Sequence, residues 1–135
     1  ELRPEGLQNT DLPILFAHLT DALGPRTEAP IHCDIRGEKK LHLDVKIALY
    51  RIAQEALNNI IKHARATEIF LHLELDETGA RLCIEDNGRG FDPQSPGGGQ
   101  LGLNIMRERA EEIGATLEIA SRMKKGTRIT CIWKE

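Results

Sequence analysis

The chain has 135 residues, a formal net charge of −3 and a pI near 6.0, with 40% hydrophobic residues and 12 glycines. That size suits one domain around one core, and the charge gives no overall reason to bind nucleic acid or an anionic membrane, so any phosphate site must be local. No stretch approaches the ~20 apolar residues that span a bilayer, and no apolar signal-peptide region opens the chain, so it reads as a soluble, cytoplasmic domain.

Residues 1–10 carry Pro4 and Gly6 with no clear periodicity and read as the end of a linker. From Asp11, a plausible N-cap, Leu12, Leu15, Leu19 and Leu23 recur at helical spacing until Gly24-Pro25 stops the run. Ile31, Cys33 and Ile35 then alternate with His32, Asp34 and Arg36, a strand period. Leu43 to Arg65 is the longest helical signal. On a helical wheel, Arg51, Asn59 and Lys62 fall within about 40 degrees of Glu55, opposite a core face of Leu49, Tyr50, Ala53, Leu57, Ile60, Ile61 and Ala64.

Thr67 to Asp76 and Arg81 to Asp86 alternate on either side of Glu77-Thr78-Gly79 and read as a hairpin. Residues 87–102 hold six glycines and two prolines without usable periodicity, which predicts a long mobile loop. Leu103 to Ile113 resumes helix period and ends at Gly114, and Thr116–Ser121 and Thr127–Trp133 form a last hairpin. Cys33, Cys83 and Cys131 all fall in these strands and read as buried small hydrophobes in a reducing compartment, without the C-x-x-C spacing of a zinc site. The expected architecture is α+β, a two-layer α/β sandwich with about five strands in one mixed sheet and about three helices on one face.

The strand that ends at Asp86 opens into Asn87-Gly88-Arg89-Gly90. A carboxylate there only accepts hydrogen bonds and suits an exocyclic amine, while the glycines let backbone approach a flat ring; a plain turn explains the same residues equally well. Asn59, with an amide oxygen, is a hard ligand suited to Mg²⁺, and Glu55 one turn away could hold a metal-bound water; a solvated helix face is the plainer alternative. Lys62 extends that face toward a phosphate, and His63 lies about 80 degrees round from Glu55. Gly97 to Gly102, feeding a helix near Leu103, offers free backbone N–H groups for phosphate, though neither common nucleotide fingerprint is satisfied.

Taken in order, Glu55-x-x-x-Asn59-x-x-Lys62-His63-Ala64, Asp86-x-Gly88-x-Gly90, Gly102-Leu103-x-x-Met106-Arg107-Glu108-Arg109-Ala110 and Gly126-Thr127 resemble the catalytic, ATP-binding domain of sensor histidine kinases. The phrases Arg51 to Asn59 and Met106 to Ala110, with Leu2-Arg3-Pro4, resemble the nitrate-sensor subfamily. The resemblance implies the Bergerat fold shared with gyrase, heat-shock chaperone and mismatch-repair ATPases. It also implies ATP and Mg²⁺: Asp86 would take the adenine amine, Asn59 would ligate Mg²⁺, and Glu55 would act near the metal and γ-phosphate. Asn87, Gly88 and Gly90 would shape the adenine pocket. Gly99, Leu101, Gly102 and Leu103 would hold phosphate beside a lid over 91–101, with Lys62 and His63 also at the nucleotide and Thr127 on the far wall.

The same resemblance implies two protein partners, a dimerisation domain carrying the phosphoacceptor histidine and a response regulator receiver domain, with no nucleic acid and no membrane insertion. None of His18, His32, His42, His63 and His72 occupies the phosphoacceptor's place, so residues 1–10 are expected to lead in from a dimerisation domain and 11–135 to form the ATP-binding domain. A hydrolysing ATPase of the superfamily, a serine-kinase anti-sigma factor and a non-catalytic nucleotide pocket remain the alternative readings.

Overall fold

A computed structural model describes residues 4–90, 100–122 and 124–135. The elements in chain order are α1 (Pro4–Asn9), α2 (Leu12–Leu23), β1 (Ile31–Arg36), α3 (Leu43–Asn59), β2 (Ile69–Asp76), β3 (Gly79–Asp86), α4 (Gln100–Glu112), β4 (Thr116–Arg122) and β5 (Gly126–Lys134). The strands make one five-stranded sheet in the order β1-β2-β3-β5-β4. β1 and β2 are parallel and the other pairs antiparallel, so the sheet is mixed as expected.

The register explains the core. Leu73, Leu82 and Cys131 lie side by side across β2, β3 and β5, as do Leu71, Ile84 and Ile129, and Ile69, Asp86 and Thr127 further along. Ile69, Leu71, Leu73, Leu82, Ile84, Ile129 and Cys131 are buried with Leu15, Phe16, Leu49, Ile52, Ala53, Leu57 and Met106 of the helices, giving two layers. Burying each large aliphatic side chain stabilises the fold by about 1.5–3 kcal/mol before entropy is counted. On the other face Phe70 stacks between His32 and His72, with ring centroids 4.9 and 6.0 Å away.

Four local differences from the sequence expectation have physical causes. Residues 4–9 form a short helix whose Leu7 is buried, and the nearly buried Lys46 of α3 donates to the Gln8 and Thr10 carbonyls at 3.1 and 3.0 Å, so this lead-in is packed. The long helix does not run regularly to Arg65: α3 ends at Asn59, a single π turn covers Ile60–Ala64, and Arg65 closes it in the left-handed region at φ 52°. Helix α4 begins at Gln100, so Gly102 sits inside it. Cys33 is exposed because β1 is the edge of the sheet, whereas Cys83 and Cys131 are buried.

The lid expected over 91–101 falls, through residue 99, outside the described residues. Among the described residues no helix is long and apolar enough to cross a membrane.

Candidate functional site

Where the π turn, the end of β3, the start of α4 and β5 meet, a pocket of about 660 Å³ including its mouth opens. It is lined by Ala56, Asn59, Ile60, His63, Ala64, Asp86, Arg89, Gly90, Leu103, Thr127 and Ile129. Most of the wall is apolar, with a few polar groups converging on it, the usual composition of a small-ligand site.

At its base stands Asp86, 7% exposed. Its Oδ1 accepts the Gly88 backbone N–H at 2.7 Å, while Oδ2 is buried and has no hydrogen-bond partner among the described residues. Burial pushes the Asp86 carboxyl above its ordinary value, against the lowering effect of the Gly88 and Thr127 backbone N–H groups. A buried acceptor left without a donor costs about 1–3 kcal/mol, and more when charged, so the fold holds it against its own stability. What the position lacks is a donor such as an amine.

The loop after Asp86 is fixed by backbone contacts. A Cβ at Gly88 would collide with the Ala64 carbonyl, so only glycine fits there. The Arg89 N–H donates to the same carbonyl at 2.7 Å, and the Arg89 carbonyl accepts from Lys124 N–H in the β4–β5 turn. Gly126 in that turn has φ 84°, and a Cβ there would strike the Asp86 carbonyl. Beside it the Thr127 hydroxyl is 2.8 Å from Ser121 Oγ, which fixes its orientation on the pocket wall.

Along the helix wall, Glu55 and Asn59 are half-buried against α4 rather than facing water. A Cβ added at Gly102 would stand 2.5 Å from Asn59 Nδ2 and 2.6 Å from Glu55 Oε1, so the missing side chain is what lets both polar groups sit at the start of α4. By helix geometry the first backbone N–H groups of α4 have no partner within the helix.

The expected site residues therefore divide. Asn59, His63, Asp86, Gly90, Leu103 and Thr127 line the pocket, Gly88 and Gly102 approach the lining residues Ala64 and Asn59, and Glu55 lies beside Gly102. Lys62 is exposed outside the lining. Asn87 is turned away: its Oδ1 accepts from Thr67 and Glu68 N–H, both at 2.9 Å, and its Nδ2 donates to Thr67 Oγ1 at 2.7 Å, holding the turn to the start of β2. Gly99 lies outside the described residues, and Leu101 is placed only as part of the α4 backbone.

Ala56, Ile60, Ala64, Arg89 and Ile129 also line the pocket, and sequence pattern does not mark them as site residues. The four apolar ones look like core in any periodicity argument, and Arg89 looks like a spacer between glycines. The π turn supplies Ile60, His63 and Ala64 together, a placement regular helix period does not convey.

Among the described residues no group of three or more His, Cys, Asp or Glu could hold a metal ion. A cation here would take one or two oxygens from Asn59 and Glu55 and the rest from water or a ligand's phosphates, a donor set that fits Mg²⁺.

Residues 44–135 match the family described as histidine kinase-, DNA gyrase B- and HSP90-like ATPase. The sensor histidine kinase LiaS of Bacillus subtilis is 35% identical over 128 residues, covering 95% of this chain and 35% of LiaS. The sensor protein VraS of Staphylococcus saprophyticus is 38% identical over 128 residues, covering 95% of this chain and 37% of VraS. The chain thus spans little more than a third of the curated relatives it matches. Among solved structures, Acinetobacter baumannii histidine kinase AdeS superposes with TM-score 0.73 at 14% identity over 97% of this chain and 73% of that one. The blue-light activated histidine kinase of Erythrobacter litoralis EL346 gives 0.75 at 21% identity over 90% of this chain and 41% of that one. At such identities these two report the fold. The relatives do not distinguish the nitrate-sensor subfamily expected from the sequence.

Proposed function

The chain belongs to the histidine kinase-, DNA gyrase B- and HSP90-like ATPase family, and from that premise we propose that it is the ATP-binding catalytic domain of a two-component sensor histidine kinase. The observation that carries the reading is the buried Asp86 carboxylate with its unpartnered Oδ2 at the base of an otherwise apolar pocket. An adenine amine is a donor of the right kind, and its ring suits the Ile60, Ala64 and Ile129 walls.

With the base at Asp86, the triphosphate extends along the pocket toward Asn59 and the start of α4. There the N–H groups of the first helical turn, which make no bond within the helix, and the positive helix end favour phosphate oxygens. Asn59 holds Mg²⁺ through its amide oxygen and Glu55 orients a water at the same place; Mg²⁺, when bound, offsets negative charge on the β- and γ-phosphates. Thr127, Gly90 and His63 complete the lining of the same pocket.

The work of such a site is positioning and charge stabilisation for phosphoryl transfer. The acceptor is a histidine ring nitrogen on a dimerisation domain that precedes residues 1–10, and the phosphoryl group passes next to an aspartate of a response regulator. The reaction takes place in the cytoplasm, where ATP is available, whatever anchors the whole protein.

Mixing this domain with a separately purified dimerisation domain and ATP labelled at the γ-phosphate tests the reading. Acid-labile, base-stable label on the dimerisation domain is expected. Label released only as inorganic phosphate would replace the kinase reading with that of a hydrolysing ATPase.

A further inference from the structure

Strand β1 is one edge of the sheet, paired with β2 on its inner side alone. The Pro30 carbonyl accepts from Ile69 N–H at 3.1 Å. Backbone groups of successive strand residues point to opposite sides, so His32, Asp34 and Arg36 turn theirs toward β2 while Ile31, Cys33 and Ile35 turn theirs outward. Among the described residues no hydrogen bond reaches those outward groups. The same three residues carry incompletely covered side chains: Ile31 and Ile35 are half-buried and Cys33 is exposed, on the face that elsewhere packs under the helices.

An exposed edge is a template for another strand, and charged side chains are the usual guard against such pairing. β1 has these charges in His32, Asp34 and Arg36, all on its other face. They oppose a second copy in some registers but match it in one. Antiparallel pairing centred on Cys33 sets Cys33 opposite Cys33, Ile31 opposite Ile35 of the second copy, and His32 opposite its Asp34. Every outward residue then faces another outward residue, the arrangement that exchanges both N–H···O bonds, so about six bonds form. Sliding the strands by two residues brings Asp34 against Asp34 or His32 against His32 and loses a bonded pair. Sliding them by one sets outward backbone groups against inward ones.

From this self-complementarity we propose that the β1 edge is an interaction surface for a second copy of this chain, the two strands joining about a twofold axis at Cys33 into one continuous sheet. The isoleucine pairs cover the apolar side of the junction. On the polar side, His32 bonded to Glu68 at 2.8 Å and Asp34 bonded to Arg36 at 3.2 Å join across it into a row of alternating charge. Two short strands bury less than the about 1,200–2,000 Å² of a stable interface. The pairing therefore forms where copies are held at millimolar effective concentration, as a shared dimerisation domain would hold them. No β1 residue lines the nucleotide pocket, so the proposal stands apart from the nucleotide reading.

Disulfide trapping tests the register. Opposite residues of a bonded pair stand about 5.5 Å apart at Cα, within disulfide reach. Diamide takes two electrons and two protons from each pair of thiols that it joins. With diamide, the chain at about 1 mM should crosslink through Cys33, and Cys33→Ser should not, because Cys83 and Cys131 are buried. Two further chains, Cys33→Ser with Ile31→Cys and Cys33→Ser with Ile35→Cys, should crosslink at least about tenfold faster when mixed than either does alone. Position 31 of one copy faces position 35 of the other, whereas like positions lie about 14 Å apart.

Mixed crosslinking no faster than that of either chain alone overturns the proposal. The parent chain, whose strand is unaltered, gives an arm that does not depend on the isoleucine variants folding: Cys33 crosslinking should slow at least about tenfold in denaturing urea, where no strand remains. A Cys33 dimer that forms equally fast in urea also overturns the proposal, since chance collision then explains it.

Discussion

Replacing Gly102 by alanine separates the stability of the fold from the workings of the site. Gly102 lies within α4, where alanine is favoured over glycine by about 1 kcal/mol. The added methyl would stand 2.5 Å from Asn59 Nδ2 and 2.6 Å from Glu55 Oε1, too close to remain. Both atoms end side chains that can rotate, at about 0.5–1.5 kcal/mol each for an off-rotamer shift. The helix gain offsets part of the rotamer cost, so stability should fall by no more than about 2 kcal/mol. Binding should not be spared, because the displaced groups are the proposed Mg²⁺ ligand and its neighbour. Losing one interaction with a charged group costs about 1.5–3 kcal/mol, or about 10- to 150-fold in affinity. Titration with ATP in the presence and absence of Mg²⁺ reads this directly: the Mg²⁺-dependent part of the affinity should fall while the metal-free part changes little. A folded Gly102→Ala protein that binds Mg-ATP like the parent would refute the assignment of Glu55 and Asn59 to the metal end.

Other perturbations have equally definite outcomes. Because burial raises the Asp86 carboxyl in the folded chain, the folded state holds its proton more tightly than the unfolded one, and stability falls as pH rises between the ordinary value and the raised one. Ligand-free Asp86→Asn should therefore be more stable than the parent at pH 7, by about 1–3 kcal/mol for the relieved charge. That advantage should shrink in denaturant titrations below pH 4; equal stability at pH 7 would mean Oδ2 is not the orphan it looks to be. Gly88→Ala forces a Cβ into the Ala64 carbonyl, which is backbone and cannot rotate aside, and should cost about 1–3 kcal/mol with loss of nucleotide binding; a parent-like melting curve would count against the close approach. Cys131 is pushed up to about 11 by burial and Cys83 is buried with it, so iodoacetamide at pH 8 should label Cys33 first and the other two only on unfolding. Early labelling of Cys131 would contradict its burial.

Much of the architecture is legible in the residue pattern. Strand β2 alternates cleanly because one face is buried, β3 and β5 keep the period less strictly because Cys83 and Thr130 are buried on the other face, and Leu49 and Leu57 mark the core side of α3. Helix α1 is not legible, because six residues with one buried leucine give no period to count. Nor is the π turn, because a five-residue change of pitch leaves the order of apolar and polar residues unaltered. Cys33 lies in register with buried Leu71, as its alternation implied, yet among the described residues no further strand pairs with the outer side of β1 and the residue stays exposed.

The site divides along the same line. Groups whose chemistry is unusual for their position, such as Asp86 at the end of an apolar strand, stand out from sequence. Ala56, Ile60, Ala64 and Ile129 do not, because a pocket wall and a core wall use the same residues. The sequence marks Gly102 for backbone contact with phosphate, but not for its closeness to Glu55 and Asn59. Its importance comes from what its missing Cβ leaves room for, and that depends on α4 lying against Glu55 and Asn59.

The central claim is that Asp86 reads an adenine amine, and ATP titration of the parent chain and of Asp86→Asn at pH 7 tests it most directly. The account predicts Mg²⁺-enhanced binding by the parent and none by the variant, although the variant is folded and at least as stable. Undiminished ATP binding by Asp86→Asn would contradict it and move the base elsewhere in the pocket.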